Sequence, residues 1–289
     1  MMTGLPSAFN VDDVDIEEVI AEVTLVVGER PQLVTTRPGQ PWVGLTTGCA
    51  VHIAHDDRTR NRIRDEADRL TWAARNGIPV PAVVDQREDW LVTSRAVNDG
   101  VTSGRSYVEA AIAAARAIAA APEEPPNLRA PVAAHGGGKK AGLVRASRIV
   151  RSPLSPREFQ AARAAAAALP RDTLAHGDYV LHNILFDSSK ASVTVIDWEF
   201  LTRAPAHRDL LMLWARLEEA DDRALILEEV ERTTKDRRAA GVLHHWLAIR
   251  LLADLVTKFA PSEWDRPRIS ATVERVKEAR ATRARWEKG

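Results

Sequence analysis

The pattern of apolar and polar positions divides the chain into a front part of short strands and a rear part that is mainly helical. Apolar residues recur at helical spacing in two stretches of the front part, 12–23 and 58–76, and we predict a helix in each. Runs rich in β-branched and aromatic residues predict strands at residues 24–27, 32–36, 42–46, 49–54 and 90–94. Turn residues between these runs favour an antiparallel sheet.

The rear part begins near residues 96–100, after which the composition becomes rich in alanine. Two short apolar runs, 183–186 and 193–196, predict a hairpin, and residues 122–156 read as an irregular loop. Helices are predicted at residues 107–121, 157–169 and, with breaks near Gly241 and Pro261, from residue 207 onward. We therefore predict an α+β fold of two lobes: residues 1–97 form a small antiparallel sheet with one main helix, and residues 98–289 form a larger, mainly helical lobe.

Composition narrows the classes of partner. The 40 basic residues equal the 40 acidic ones in number, so nothing in the overall charge favours nucleic acid or an anionic membrane. Cys49 is the only cysteine, which excludes an internal disulfide and fits a reducing compartment. The first residues do not resemble a secretory signal, and we see no apolar stretch of the roughly 18 residues that span a bilayer. We expect a cytoplasmic protein.

Ionisable side chains are concentrated on the predicted hairpin, within residues 174–200. Asn183 begins the first strand and Asp197 ends the second, so antiparallel pairing brings both to the same end of the hairpin. An amide oxygen and a carboxylate are oxygen ligands of the kind that Mg²⁺ takes, one or two at a time, beside water and phosphate. Asp178 lies near them and can accept a proton from an attacking hydroxyl. A base and a metal cradle are the minimum apparatus for phosphoryl transfer.

The same residues carry a family resemblance. The motif comprises His176-Gly177-Asp178, then Asn183, then Ile196-Asp197-Trp198-Glu199. In identity and spacing it resembles the catalytic core of the aminoglycoside phosphotransferase and choline kinase-like family, which has a protein kinase-like fold. The alternative is a buried hairpin whose Asp and Asn side chains only cap turns.

The resemblance implies a role for each residue of the motif. It makes Asp178 the catalytic base and gives Asn183 and Asp197 to Mg²⁺. It makes His176 structural, through hydrogen bonds to the loop backbone, and Glu199 a supporting acid near the metal. Asp209 also matches the family, at the start of the next helix, where we favour a capping role over a catalytic one.

The resemblance extends less specifically to the front lobe. Glu66 fits the helix glutamate that the family pairs with a strand lysine, and backbone groups of Arg95, Ala96 and Val97 would face the nucleotide base. The expected lysine is missing, since no lysine precedes Lys139, and His52 occupies its place.

Two roles for His52 stay open. It either contacts the nucleotide, with its charged form favoured by Glu66 and the triphosphate, or packs on the sheet beside a hydrogen-bond partner. Arg37 or Arg62 could instead supply the missing positive charge.

The resulting hypothesis is a Mg²⁺-dependent phosphotransferase that moves the γ-phosphate of ATP or GTP to a hydroxyl of a small molecule, with no nucleic acid or membrane as partner. The resemblance favours an antibiotic-modifying resistance kinase. The alternatives are a kinase of a sugar or amino-alcohol metabolite, a catalytically dead nucleotide-binding protein, and a metallohydrolase that uses His176 and His182. The oligomeric state stays open, as does a pocket role for His244 or Asp254.

Overall fold

The structure is a computed structural model that describes residues 15–35, 39–128, 155–258 and 267–288. The chain forms two compact units. The N-terminal unit comprises Met1–Asn98, Pro122–Asn127 and Thr194–Glu199. The C-terminal unit comprises Asp99–Ala121, Leu128–Val193 and Phe200–Gly289.

The N-terminal unit is built on a five-stranded antiparallel sheet in the order β1-β2-β3-β5-β4. Its strands are β1 (Gln32–Thr35), β2 (Trp42–Leu45), β3 (Cys49–Ile53), β4 (Val83–Gln86) and β5 (Trp90–Ser94). Sequence reasoning missed β4, whose short apolar run follows a stretch with two prolines. The other four strands confirm the predicted sheet.

Helix α1 (Ile16–Val27) packs on one face of this sheet. Its buried side chains Val19, Ile20 and Val23 form a core with side chains of β3 and β5. The prediction of a strand at 24–27 is wrong. The helix continues through this run of apolar residues and ends where Gly28 adopts a left-handed conformation, with φ 74°, and donates its N–H to the Thr24 carbonyl at 2.9 Å.

Helix α2 (Asp57–Arg75) is the main helix of the N-terminal unit. Asp56 caps its start, and the Thr59 hydroxyl in turn receives the backbone N–H of Asp56 at 3.0 Å. This reciprocal capping box fixes where the helix begins. Thr59 itself is the third residue of the helix.

The C-terminal unit is mainly helical, as predicted. Its helices are α3 (Arg105–Ala119), α4 (Pro156–Ala167), α5 (Arg208–Trp214), α6 (Ala220–Thr233), α7 (Arg237–Lys258) and α8 (Pro267–Trp286). Two short pairs of strands accompany them: β6 (Thr173–Ala175) pairs with β9 (Thr202–Ala204), and β7 (Ile184–Asp187) with β8 (Ser192–Val195). From Thr194, within β8, to Glu199 the chain belongs to the N-terminal unit.

Helix α7 runs uninterrupted through Gly241, where we predicted a break. A Cβ on Gly241 would lie 3.2 Å from the Arg283 Cα, a tight contact that glycine avoids where α8 packs on α7. The break predicted near Pro261 lies outside the described residues. Helix α7 is also long and apolar enough to cross a membrane, contrary to our expectation, but 72% of its apolar window is buried in the protein, as in a core helix.

Candidate active site

The candidate base Asp178 follows a loop that a buried carboxylate holds in place. Asp209 accepts the backbone N–H of His176 at 2.6 Å and that of Gly177 at 3.2 Å. The predicted capping role of Asp209 is wrong, because residue His207 occupies the cap position of α5 and the Asp209 side chain turns to the loop instead. Burial raises the pKa of Asp209, and the charges of His176 and Arg208, with the two N–H donors, oppose that shift.

Gly177 has no room for a side chain. Its φ is +86°, and a Cβ there would overlap the carbonyl oxygen of Phe200 and lie 3.0 Å from its carbonyl carbon. Arg208 donates to the Gly177 carbonyl at 2.9 Å. Hydrogen bonds therefore hold both the N–H groups and the Gly177 carbonyl of this loop. Asp178 follows directly after this fixed backbone.

Asp178 and Asn183 lie side by side in the C-terminal unit. The Asn183 Nδ2 donates to the Asp178 backbone carbonyl at 3.0 Å and contacts Asp178 Oδ2 at 3.3 Å. Asn183 closes a short 3₁₀ turn, Leu181–Asn183, and does not begin the strand as predicted. Because its nitrogen faces Asp178, the amide oxygen is the atom left for a cation.

The two histidines of this region differ in environment. His176 is fully buried, with its ring edge-on to Tyr179 at a centroid distance of 6.0 Å. His182 is exposed. Among the described residues, no group of three or more His, Cys, Asp or Glu side chains is arranged to hold a metal ion.

Asp197 lies in the N-terminal unit, on a segment tied to α2 and its neighbours. The Val195 N–H donates to the Pro79 carbonyl at 2.8 Å. The fully buried Trp198 ring lies edge-on to Trp72, with a centroid distance of 6.3 Å. Asp197 itself has φ +62°, a conformation that Asp tolerates better than most residues and that is common at functional sites.

The carboxylates around Asp197 repel one another. Glu66 on α2 lies near both Asp197 and Glu199, and burial together with the charge of Asp197 raises its pKa to about 7. The Trp198 N–H, 3.5 Å from Glu66 Oε1, opposes the shift. Glu199 forms an ion pair with Arg62. A bound cation would offset this accumulation of negative charge, and oxygen ligands of this kind suit Mg²⁺.

His52 is neutral at pH 7, and the two roles that the sequence left open for it stay predictions. It lies on β3 opposite Val43 and Leu91, and burial lowers its pKa to about 4. Of the two arginines suggested as substitutes for the missing lysine, Arg62 holds the Gly39 carbonyl at 2.7 Å as well as Glu199. Arg37 lies outside the described residues.

The segment predicted to face the nucleotide base follows β5. The Arg95 N–H donates to the Gly48 carbonyl at 2.8 Å, and its guanidinium donates to the Thr46 carbonyl at 2.9 Å. This N–H is therefore already engaged within the sheet. Val97 is 50% exposed, and its backbone and that of Ala96 stay candidates for contact with the base.

A cavity opens beside Asp178. Its other charged lining residues are Arg216, just beyond α5, and Arg250 and Asp254 on α7. Sequence reasoning named Asp254 as a candidate but missed both arginines. The available signal was the i, i+3, i+4, i+7 spacing of Leu247, Arg250, Leu251 and Asp254, which places them on one face of a helix.

The sequence matches the phosphotransferase enzyme family, abbreviated APH, over residues 32–243. The chain belongs to this family. The match runs from β1 into α7 and includes the Asp178 loop and the Asp197 segment. Together with the five-stranded antiparallel sheet and the helical C-terminal unit, it confirms the predicted α+β, kinase-like fold of the phosphotransferase family.

Among relatives of this chain, an aminoglycoside 3'-phosphotransferase of Streptomyces fradiae is 32% identical over 177 residues, which are 54% of this chain and 65% of that protein. The chain thus matches slightly less than two thirds of the relative's length.

Two solved structures share the fold. A choline/ethanolamine kinase family protein of Mesorhizobium loti has a TM-score of 0.56 and 16% identity, with 93% of this chain and 97% of that chain covered. An amicoumacin kinase in complex with AMP-PNP, Ca²⁺ and Ami has a TM-score of 0.56 and 12% identity, with coverage of 93% and 94%.

Proposed function

We propose that this member of the phosphotransferase family transfers the γ-phosphate of ATP or GTP to a hydroxyl of a small molecule. The observation that carries the proposal is the Asp178 loop, fixed through its backbone by Asp209 and joined to Asn183 by hydrogen bonds. A base fixed in this way is what a positioned proton transfer requires.

In the proposed reaction the acceptor oxygen attacks the γ-phosphorus while the bond to the bridging oxygen of the nucleoside diphosphate breaks. Asp178 orients the hydroxyl and takes its proton, and the diphosphate leaves with the bond's electron pair. Asn183 and Asp197 would hold Mg²⁺, which when bound neutralises charge on the phosphates. The high pKa of Glu66 supports a cation near Asp197, because that shift arises in part from the charge of Asp197.

The acceptor in this proposal is an antibiotic, so that the reaction confers resistance. The Streptomyces fradiae relative and the amicoumacin kinase support this choice. The choline/ethanolamine kinase family protein supports the alternative of an amino-alcohol metabolite.

The test is phosphate transfer by the purified full chain from ATP or GTP, with Mg²⁺, to a panel of hydroxyl-bearing antibiotics and metabolites. Asp178→Asn should lower kcat by at least about 100-fold, within the range of a lost general base, while nucleotide still binds. Asp172→Asn removes an exposed carboxylate six residues earlier in the chain and should retain wild-type kcat. Substantial transfer by Asp178→Asn would refute the assignment of the base.

A second candidate is a nucleotide-binding protein without catalysis. It is favoured by the neutral His52 in the place of the family lysine, because a neutral ring contributes no charge to a phosphate. This candidate predicts nucleotide binding in wild type and no transfer to any acceptor, with no difference between wild type and Asp178→Asn.

A further inference from the structure

The charged cavity beside Asp178 carries information about the acceptor. It lies in the C-terminal unit, between the end of α5 and one face of α7, with Leu247 and Leu251 among its apolar lining residues. Its volume is about 40 Å³, which is room for about three water molecules. A carboxylate or another group of similar size fills such a space, and the rest of an acceptor would extend outside it.

Arg216 is the residue in this cavity whose hydrogen bonding is incomplete. Its Nε is buried and has no hydrogen-bond partner among the described residues. Burial lowers the pKa of Arg216, and the charges of Asp178 and Asp254 only partly compensate. A buried guanidinium without a full set of acceptors is costly, and an anionic group in the cavity that Arg216 lines would compensate its charge.

The acids of the cavity do not make it a site for a polycation. Asp254 is 66% exposed and lies 4.0 Å from the Nε of Arg250, which offsets its charge. The other acid is Asp178, whose Oδ2 lies 3.3 Å from the Nδ2 of Asn183. Arg208, which donates to the Gly177 carbonyl, is a further positive group nearby. Each acid of the cavity therefore already lies beside a donor of the protein, and Arg216 and Arg250 are the cationic groups that line it.

We propose that the acceptor carries a compact anionic group, a carboxylate or a phosphate monoester, which binds Arg216 and Arg250 while the hydroxyl faces Asp178. The inference rests on the proposed phosphotransferase function and specifies its acceptor class. It sets this chain apart from an enzyme for polycationic aminoglycosides, because an ammonium group in the cavity would face Arg216.

The test uses four probes on one sugar skeleton: glucuronate, glucose 6-phosphate, glucose and glucosamine. Phosphate transfer from ATP with Mg²⁺ and equilibrium binding are both measured on the full chain. We expect kcat/KM and affinity for the better anionic probe to exceed those for glucose by about 10- to 100-fold, as for hydrogen bonds to charged groups. Glucosamine should be the poorest probe. The order of glucuronate and glucose 6-phosphate distinguishes a carboxylate from a phosphate.

Arg216→Met should reduce the ratio of anionic to neutral probe by a similar factor. Arg105→Met is the matched control, because it removes an exposed arginine in the same unit, one that forms an ion pair with Glu109. This variant should keep the wild-type ratio of anionic to neutral probe. Circular dichroism checks that each variant is folded. If Arg216→Met does not fold, Arg250→Met at the more exposed arginine must show the same loss.

The outcomes separate this inference from the proposed function. Transfer with glucosamine preferred, an equal loss for all probes in Arg216→Met, or anion binding that persists in Arg216→Met overturns the inference and leaves the phosphotransferase proposal standing. Anion binding that depends on Arg216, without transfer to any probe, supports the inference but not the activity. Failure of both anionic probes to bind better than glucose also overturns the inference.

Discussion

Replacing Gly177 by alanine tests whether the backbone geometry of the Asp178 loop controls both stability and catalysis. Alanine at φ +86° costs about 1–2 kcal/mol from the left-handed conformation alone. The new Cβ would also overlap the Phe200 carbonyl oxygen, and relief of such crowding costs a further ~1–3 kcal/mol. We therefore expect a loss of about 2–5 kcal/mol in the free energy of unfolding.

Gly100→Ala provides the control for backbone strain. Gly100 has φ +74°, and a Cβ there would meet nothing within 4 Å. Gly100→Ala should lower the free energy of unfolding only by the cost of the left-handed conformation, about 1–2 kcal/mol. Urea unfolding at pH 7 measures both variants, and the difference between them isolates the clash with Phe200.

The same variant has an expected effect on catalysis. If the loop relieves the clash by moving, Asp178 moves with it, and a misplacement of about 1 Å lowers kcat by about 100-fold. Phosphate transfer by Gly100→Ala should stay near wild type. Equal losses of stability in the two variants, together with an unchanged kcat in Gly177→Ala, would refute this account of the loop.

Three further predictions concern stability. Asp209→Ala leaves two buried N–H donors of the loop without an acceptor and should lower the free energy of unfolding by about 2–4 kcal/mol, measured by urea unfolding; a loss below 1 kcal/mol would contradict the hydrogen bonding described. His244 is fully buried and its pKa is lowered to about 3, so it is neutral in the folded protein. Its contribution to the free energy of unfolding is complete above pH 6.5. That contribution falls as the pH decreases from 6.5 towards 3, by at most about 1.4 kcal/mol per pH unit. His244→Phe should therefore flatten the dependence of unfolding free energy on pH between 7 and 5, and an unchanged slope would exclude His244 as its source. Arg62→Met should cost about 1–2 kcal/mol through loss of a partly buried ion pair, and a double-mutant cycle with Glu199→Gln should show a coupling of at least about 0.5 kcal/mol, whereas additive effects would show that the pair is not coupled.

Much of the fold could be predicted because long apolar patterns have few interpretations. Strand β5 has the predicted bounds, and α2 and α3 begin and end within two residues of prediction. The short strands β6 and β9 were missed because three residues are too few to show a period of two. The strand prediction for residues 24–27 failed because a valine-rich run is compatible with both a strand and the last turn of a helix.

For the candidate site, the sequence indicated which residues take part but not how tertiary contacts arrange them. The motif identified Asp178, Asn183 and Asp197 as candidates through residue type and spacing alone, and their roles stay predictions. The contact of Asp209 with the loop joins residues more than 30 positions apart, and no local pattern encodes it. The position of Arg216 in a cavity that α7 also lines likewise depends on tertiary packing.

The segment Thr194–Glu199 has a consequence for the order in which the protein can fold. Its ion pair from Glu199 to Arg62 joins residues 137 positions apart, and its Trp198 ring packs on Trp72 within the N-terminal unit. During synthesis, the sheet and α2 emerge long before these partners exist. The N-terminal unit can complete its core only after about two thirds of the chain has been made, and a fragment cut at residue 98 would leave Trp72 without its aromatic neighbour.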